Sequence, residues 1–104
     1  MTEQQIQKKR IDQLEAEGYY VIKLVKTNKN GIPDVVAIAP NADVLFSEIK
    51  TETGRLSRLQ EYRLKELNGY GFRTEVYRGN KLSDRDRGGD ADPGADRGPA
   101  TDLF

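Results

Sequence analysis

The sequence predicts an α/β fold in which a mixed central sheet is flanked by helices. Three observations carry this. Segments rich in β-branched and aromatic residues alternate with helix-patterned ones in the order α-β-β-β-α-β. The second and third strand segments are apolar on both faces, as in an inner sheet covered by helices. Both helical segments open on a capping signature and close near glycine.

Taken in order, residues 2–18 (TEQQIQKKRIDQLEAEG) begin with Thr2 and Gln5 as a capping box and stop at Gly18, with Ile6, Ile11 and Leu14 as an imperfect apolar stripe. Residues 19–27 (YYVIKLVKT) form a strand, and residues 28–31 (NKNG) a turn. Strands follow over 34–40 (DVVAIAP) and 44–51 (VLFSEIKT), joined tightly through Asn41, Ala42 and Asp43. After the loop ETGRL, residues 57–71 form a second helix, capped by Ser57 and Gln60 and ending at Gly69 and Gly71. Residues 72–78 (FRTEVYR) complete the sheet. No internal repeat is present.

The domain is expected over residues 1–78. From Gly79 the chain is dominated by Asp, Arg, Gly and Pro, so residues 79–104 are expected to form a disordered tail. The formal net charge of 0 hides a division. Residues 1–78 carry 13 positive and 11 negative side chains, and the tail carries 4 and 6. A mildly basic domain is compatible with a nucleic-acid partner without requiring one.

The chain has no Cys and no His. That excludes disulfides, a thiolate nucleophile, cysteine-ligated zinc and histidine general bases. Any catalysis must use carboxylates, Lys, Tyr, Ser or Thr, and any metal must be a hard cation held by oxygen. No apolar stretch approaches membrane-spanning length and the N-terminus lacks a secretory pattern, so a soluble, cytoplasmic protein without a membrane partner is expected.

Three charges interrupt the apolar strands: Asp34, Glu48 and Lys50. Pairing strands 2 and 3 around Asn41–Ala42 makes facing residue numbers sum to about 83 or 84. This brings Asp34 beside Lys50 and Glu48, which share a face. Two carboxylates, with a main-chain carbonyl such as that of Ile49, can hold Mg²⁺ or Mn²⁺ and leave positions for water and a phosphate oxygen. Lys50 can position the attacking water or stabilise the transition state. An isolated E-x-K is usually a salt bridge. Here it follows Pro-Asp at hairpin distance in a strand otherwise free of charge, and buried charge is seldom kept for stability alone.

GIPD, then EIK, then TGRLSRLQ resemble the PD-(D/E)xK nuclease superfamily, and within it the small stand-alone VRR-NUC form of phages and bacteria. The resemblance covers residues 1 to about 78 and implies a restriction-endonuclease-like core. It further implies metal-dependent hydrolysis of DNA phosphodiesters, with Asp34 and Glu48 as metal ligands and Lys50 as the catalytic lysine. Gln60 matches the motif glutamine beside the site, although it also fits a capping partnership with Ser57. Glu3 in EQQIQ matches the helix-1 glutamate, with Gln7 one turn on, while Glu15 and Glu17 are rivals nearer the helix end. The cellular setting implied is a bacterial cytoplasm or a phage-infected host.

DNA contacts are expected from Lys8, Lys9 and Arg10, from Lys26 and Lys29, and from Arg55, Arg58 and Arg63, with Arg55 overhanging the scissile phosphate. The tyrosines are expected in core or interface. Similarity to junction-resolving enzymes, together with small size, implies a homodimer acting on branched or four-way-junction DNA. A less selective nicking or flap nuclease, and a non-catalytic nucleic-acid-binding module with the same fold, are the alternatives.

Overall fold

The computed structural model describes residues 1–79; the tail expectation falls almost wholly outside them. The elements are α1 (Glu3–Ala16), β1 (Tyr20–Lys23), β2 (Val35–Ile38), β3 (Val44–Ile49), α2 (Arg58–Gly69) and β4 (Arg73–Tyr77). The expected α-β-β-β-α-β order is borne out. The sheet runs β1-β2-β3-β4, antiparallel across the first two pairs and parallel between β3 and β4.

Both capping boxes form. Thr2 Oγ1 accepts from Gln5 N–H at 3.1 Å, and Gln5 Oε1 accepts from Thr2 N–H at 2.8 Å. Ser57 and Gln60 repeat the exchange at 3.0 and 2.8 Å. Both helices also end alike. Gly18 and Gly71 adopt φ of +94° and +96°. The next residues, Tyr19 and Phe72, donate back to Leu14 and Leu67 carbonyls, while the glycines donate to Glu15 and Asn68. These are Schellman closures, in which glycine takes the left-handed conformation without a Cβ clash. Gly69, the other expected stop, is the last residue of α2 itself.

The first three strands are shorter than expected, and the hairpin register differs. β1 is shorter than residues 19–27, because Leu24 N–H to Asp34 O (2.8 Å) is its last rung and β2 offers no strand beyond. The β2–β3 register sums to 82 rather than 83 or 84: Val35 faces Ser47 and Ile38 faces Val44. Pro40 is the cause, since a residue without N–H is poorly suited to the ladder and joins the turn instead. Ala39 N–H bonds Asp43 O at 2.8 Å, leaving Pro40, Asn41 and Ala42 as a three-residue loop. Ala42 takes the left-handed conformation (φ 72°), and Asn41 Oδ1 accepts from Asp43 N–H at 3.0 Å.

One sheet face packs on α1. Ile6 joins Val35, Ile49 and Tyr77, and Leu14 joins Ala37 and Leu45. Within this face lies a buried ion pair: Arg10 makes two hydrogen bonds to Glu75, at 2.8 and 2.9 Å, and Ser47 Oγ donates to Glu75 at 2.7 Å. The guanidinium also lies over the Tyr77 ring, 5.0 Å from its centre. On the other face, α2 contacts β4, and Thr74 Oγ1 lies 3.1 Å from Asn68 Oδ1. The N-terminal end of α2 docks on the loop before β2. Arg63 donates to Asn30 O at 2.9 Å, and a Cβ on Gly31 would fall 2.7 Å from Leu59 Cγ. Gly31 therefore permits the close approach of Leu59, in the first turn of α2, to the loop before β2.

Candidate active site

The register of 82 sharpens the expected charge cluster. One step beyond Val35–Ser47, Asp34 comes directly opposite Glu48. Facing residues in an antiparallel pair share a sheet side, and Lys50, two residues on from Glu48, lies there too. Asp34, Glu48 and Lys50 are thus brought together, with the two carboxylates as the facing pair.

Glu48 is 3 % exposed, although it is ionisable and points toward another carboxylate. Its Oε2 accepts a hydrogen bond from the Gln60 side-chain amide at 3.2 Å, whereas Oε1 is buried with no partner. Burial, then Asp34 through its charge and a side-chain hydrogen bond that holds the proton between the two carboxyls, raises its pKa to about 8; Lys50 pulls it down and Glu3 pushes it further up. Asp34 is held differently. Its Oδ2 accepts from Ile49 N–H at 2.9 Å, which ties the carboxylate to the end of β3.

Gln60 performs both roles that the sequence left open. Its Oε1 completes the α2 cap on Ser57, and its amide nitrogen donates to Glu48. The capping box therefore fixes the side chain that reaches the site. Glu3, exposed on the first turn of α1, reaches Glu48 through its charge. Among the described residues, no group of three or more carboxylates is arranged to hold a metal, so Asp34 and Glu48 stand as a pair.

An open groove of about 780 Å³ runs beside Asp34, between α1 (Gln4, Gln7 and Lys8) and the chain leaving β1 (Lys23, Leu24 and Val25). Gln7, expected to face the site, lines it. Lys8 lines it as well, paired with Asp12 across an exposed 2.9 Å ion pair. Lys9 turns to the end of β4 and donates to Gly79 O at 2.7 Å. Arg10 points inward to Glu75 and is not presented to a ligand. Arg63 is held by Asn30 and by Glu66. Lys26, Lys29, Arg55 and Arg58 are exposed.

Arg78 escaped notice in the sequence. Its guanidinium donates to the carbonyls of Thr51 (3.0 Å) and Gly54 (2.7 Å), pinning the loop that follows Lys50 and carries Arg55. The Glu75 network was also missed. Its signal was available in part, for Glu75, like Glu48, is a charge inside a strand segment.

The residues suit a hard divalent cation. An unpartnered, buried carboxylate oxygen facing a second carboxylate is costly as it stands, and a cation would satisfy both. Among family comparisons, the VRR-NUC domain matches residues 2–81. No curated protein and no solved structure matches the chain.

Proposed function

The chain belongs to the VRR-NUC family of PD-(D/E)xK-type nucleases, and from that premise we propose that it is a divalent-metal-dependent DNA endonuclease selective for branched DNA. One observation carries the metal dependence: Glu48 is buried opposite Asp34 with one oxygen unsatisfied and its pKa raised to about 8. Asp34, Glu48 and the main-chain carbonyl of Ile49 would hold Mg²⁺ or Mn²⁺, with Glu3 adding negative charge from α1. When bound, the cation offsets charge on the scissile phosphate and acidifies a water.

The protein's own groups supply the rest. Gln60 holds Glu48 in place through its amide N–H, which donates to Oε2. Glu48, which holds a proton near neutral pH, would give it up to serve as a ligand. Lys50, close enough to lower the Glu48 pKa, places an ammonium where negative charge builds on the phosphate oxygens and where an attacking water can be oriented. Arg55 and Arg58, exposed around the loop pinned by Arg78, serve as phosphate contacts, with Lys8 on the groove and Lys29 on the turn before β2. Lys9 contributes only if it releases Gly79.

The substrate reading is a four-way junction cut by a homodimer in the cytoplasm of a bacterial cell or phage-infected host. Two sites related by a twofold axis would cut symmetrically. Incubation with four-way junction, flap and linear duplex DNA, each with Mg²⁺, Mn²⁺ or chelator, tests this. Metal-dependent junction cleavage is expected. Equal cutting of linear duplex would leave the broader nicking or flap nuclease, and no cleavage of any substrate would leave a binding module.

A further inference from the structure

The rungs between β2 and β3 follow a strict alternation that ends abruptly at the site. Ala39 N–H bonds Asp43 O, which marks residues 39 and 43 as a hydrogen-bonded pair. Hydrogen-bonded pairs alternate with non-bonded ones, so Ala37–Leu45 and Val35–Ser47 are bonded too. The next bonded rung would join residue 33 to residue 49. Residue 33 is a buried proline, which has no N–H to give.

The other half of that rung has been redirected. Ile49 N–H donates to the Asp34 carboxylate at 2.9 Å. In an extended strand, the N–H and C=O of one residue point to the same side. The Ile49 carbonyl is therefore directed toward Asp34, away from β4. The adjoining Lys50 confirms the sense, because its N–H faces β4 and bonds Tyr77 O at 3.0 Å. With Pro33 opposite, no ladder N–H meets the Ile49 oxygen. Buried main-chain carbonyls are rarely left this way.

We propose that Pro33 is a positioning residue for the cation site: it removes one rung of the β2–β3 ladder and so keeps the Ile49 carbonyl oxygen available as a ligand beside Asp34 and Glu48. The inference rests on the metal-dependent reading above and assigns that site a residue that touches no substrate. Any other residue at position 33 would bring an N–H toward the Ile49 oxygen and compete with the cation.

Mn²⁺ titration by calorimetry on the full chain and on Pro33→Ala tests this, together with hydrogen exchange at the new residue-33 amide. About tenfold weaker Mn²⁺ binding is expected, the lower end of what outer-shell partners contribute, with the amide protected from exchange. Unchanged affinity, or an amide that exchanges freely, would overturn the proposal. A second measurement needs no variant: Mg²⁺ titration of the unsubstituted protein, following carbonyl ¹³C resonances. The Ile49 carbonyl should move and that of Ser47, which is within the ladder, should stay. If the Asp34 and Glu48 carboxyl carbons move while Ile49 does not, Pro33 loses this role and the metal-dependent reading stands. If none of them moves, both fall.

Discussion

The molecule buries two glutamates on neighbouring strands, and treats them in opposite ways. Glu75 on β4 sits opposite Ser47 and receives two guanidinium hydrogen bonds from Arg10 and one from the Ser47 hydroxyl. Glu48, next along β3, receives a single amide hydrogen bond, keeps one oxygen without a partner and faces a second carboxylate. Both are almost fully buried. A buried carboxylate that is fully paired is a structural element, whereas one kept protonated by burial and a neighbouring carboxylate can ionise only when something else completes it. The difference separates a scaffold from a site without reference to any relative.

Substitutions can break this contrast at either end. The largest effect is expected from Lys50→Ala, which should cut metal-dependent cleavage by about 10²–10³-fold, the range for losing one preorganised charge-stabilising donor. Junction binding, measured by gel shift, should survive. Lys50→Ala that still cuts would remove the lysine from the mechanism. On the structural side, Arg10→Ala strands Glu75 without its partner and should cost about 3–5 kcal/mol in urea unfolding. A cost below about 1 kcal/mol would mean that the two glutamates are not distinct after all.

Glu48→Gln sharpens the comparison in the opposite direction. The folded pKa of about 8 lies above the ordinary value of 4.5, so between those values the folded protein holds a proton that the unfolded chain has lost. Stability of the metal-free protein should therefore fall as pH rises from about 4.5 to about 8, then level off. Glu48→Gln should flatten this slope, as read from melting temperatures across that range. A slope that survives the substitution would place its origin elsewhere. The smallest effect is expected from Gln60→Ala. It loses the reciprocal cap on Ser57, at about 1 kcal/mol or less, together with the amide that orients Glu48.

The parts of the fold visible in the sequence were those governed by local chemistry. Thr2–Gln5 and Ser57–Gln60 announce helix starts within four residues, and Gly18 and Gly71 announce the ends. The register was less accessible because it depended on how Pro40 would be accommodated, and a shift of one or two in the facing sum decides which residue meets Asp34. Arg10 shows the limit most clearly. Nothing within a KKR run indicates that the third cation turns inward to a glutamate 65 residues away. The candidate site was legible in part, since Asp34, Glu48 and Lys50 stand out as charges in apolar strands. Its supporting parts were not: the Pro33 gap and the Arg78 clamp involve ordinary residues whose effect arises only from what they face.

The central claim is that Glu48 is left incomplete for a cation. Calorimetric titration of the protein with Mn²⁺ near pH 7, in buffers of different ionisation enthalpy, tests it most directly. Binding should release close to one proton per cation, and Glu48→Gln should abolish both the proton release and most of the affinity. Binding that Glu48→Gln leaves unchanged, or no binding at all, would contradict the account.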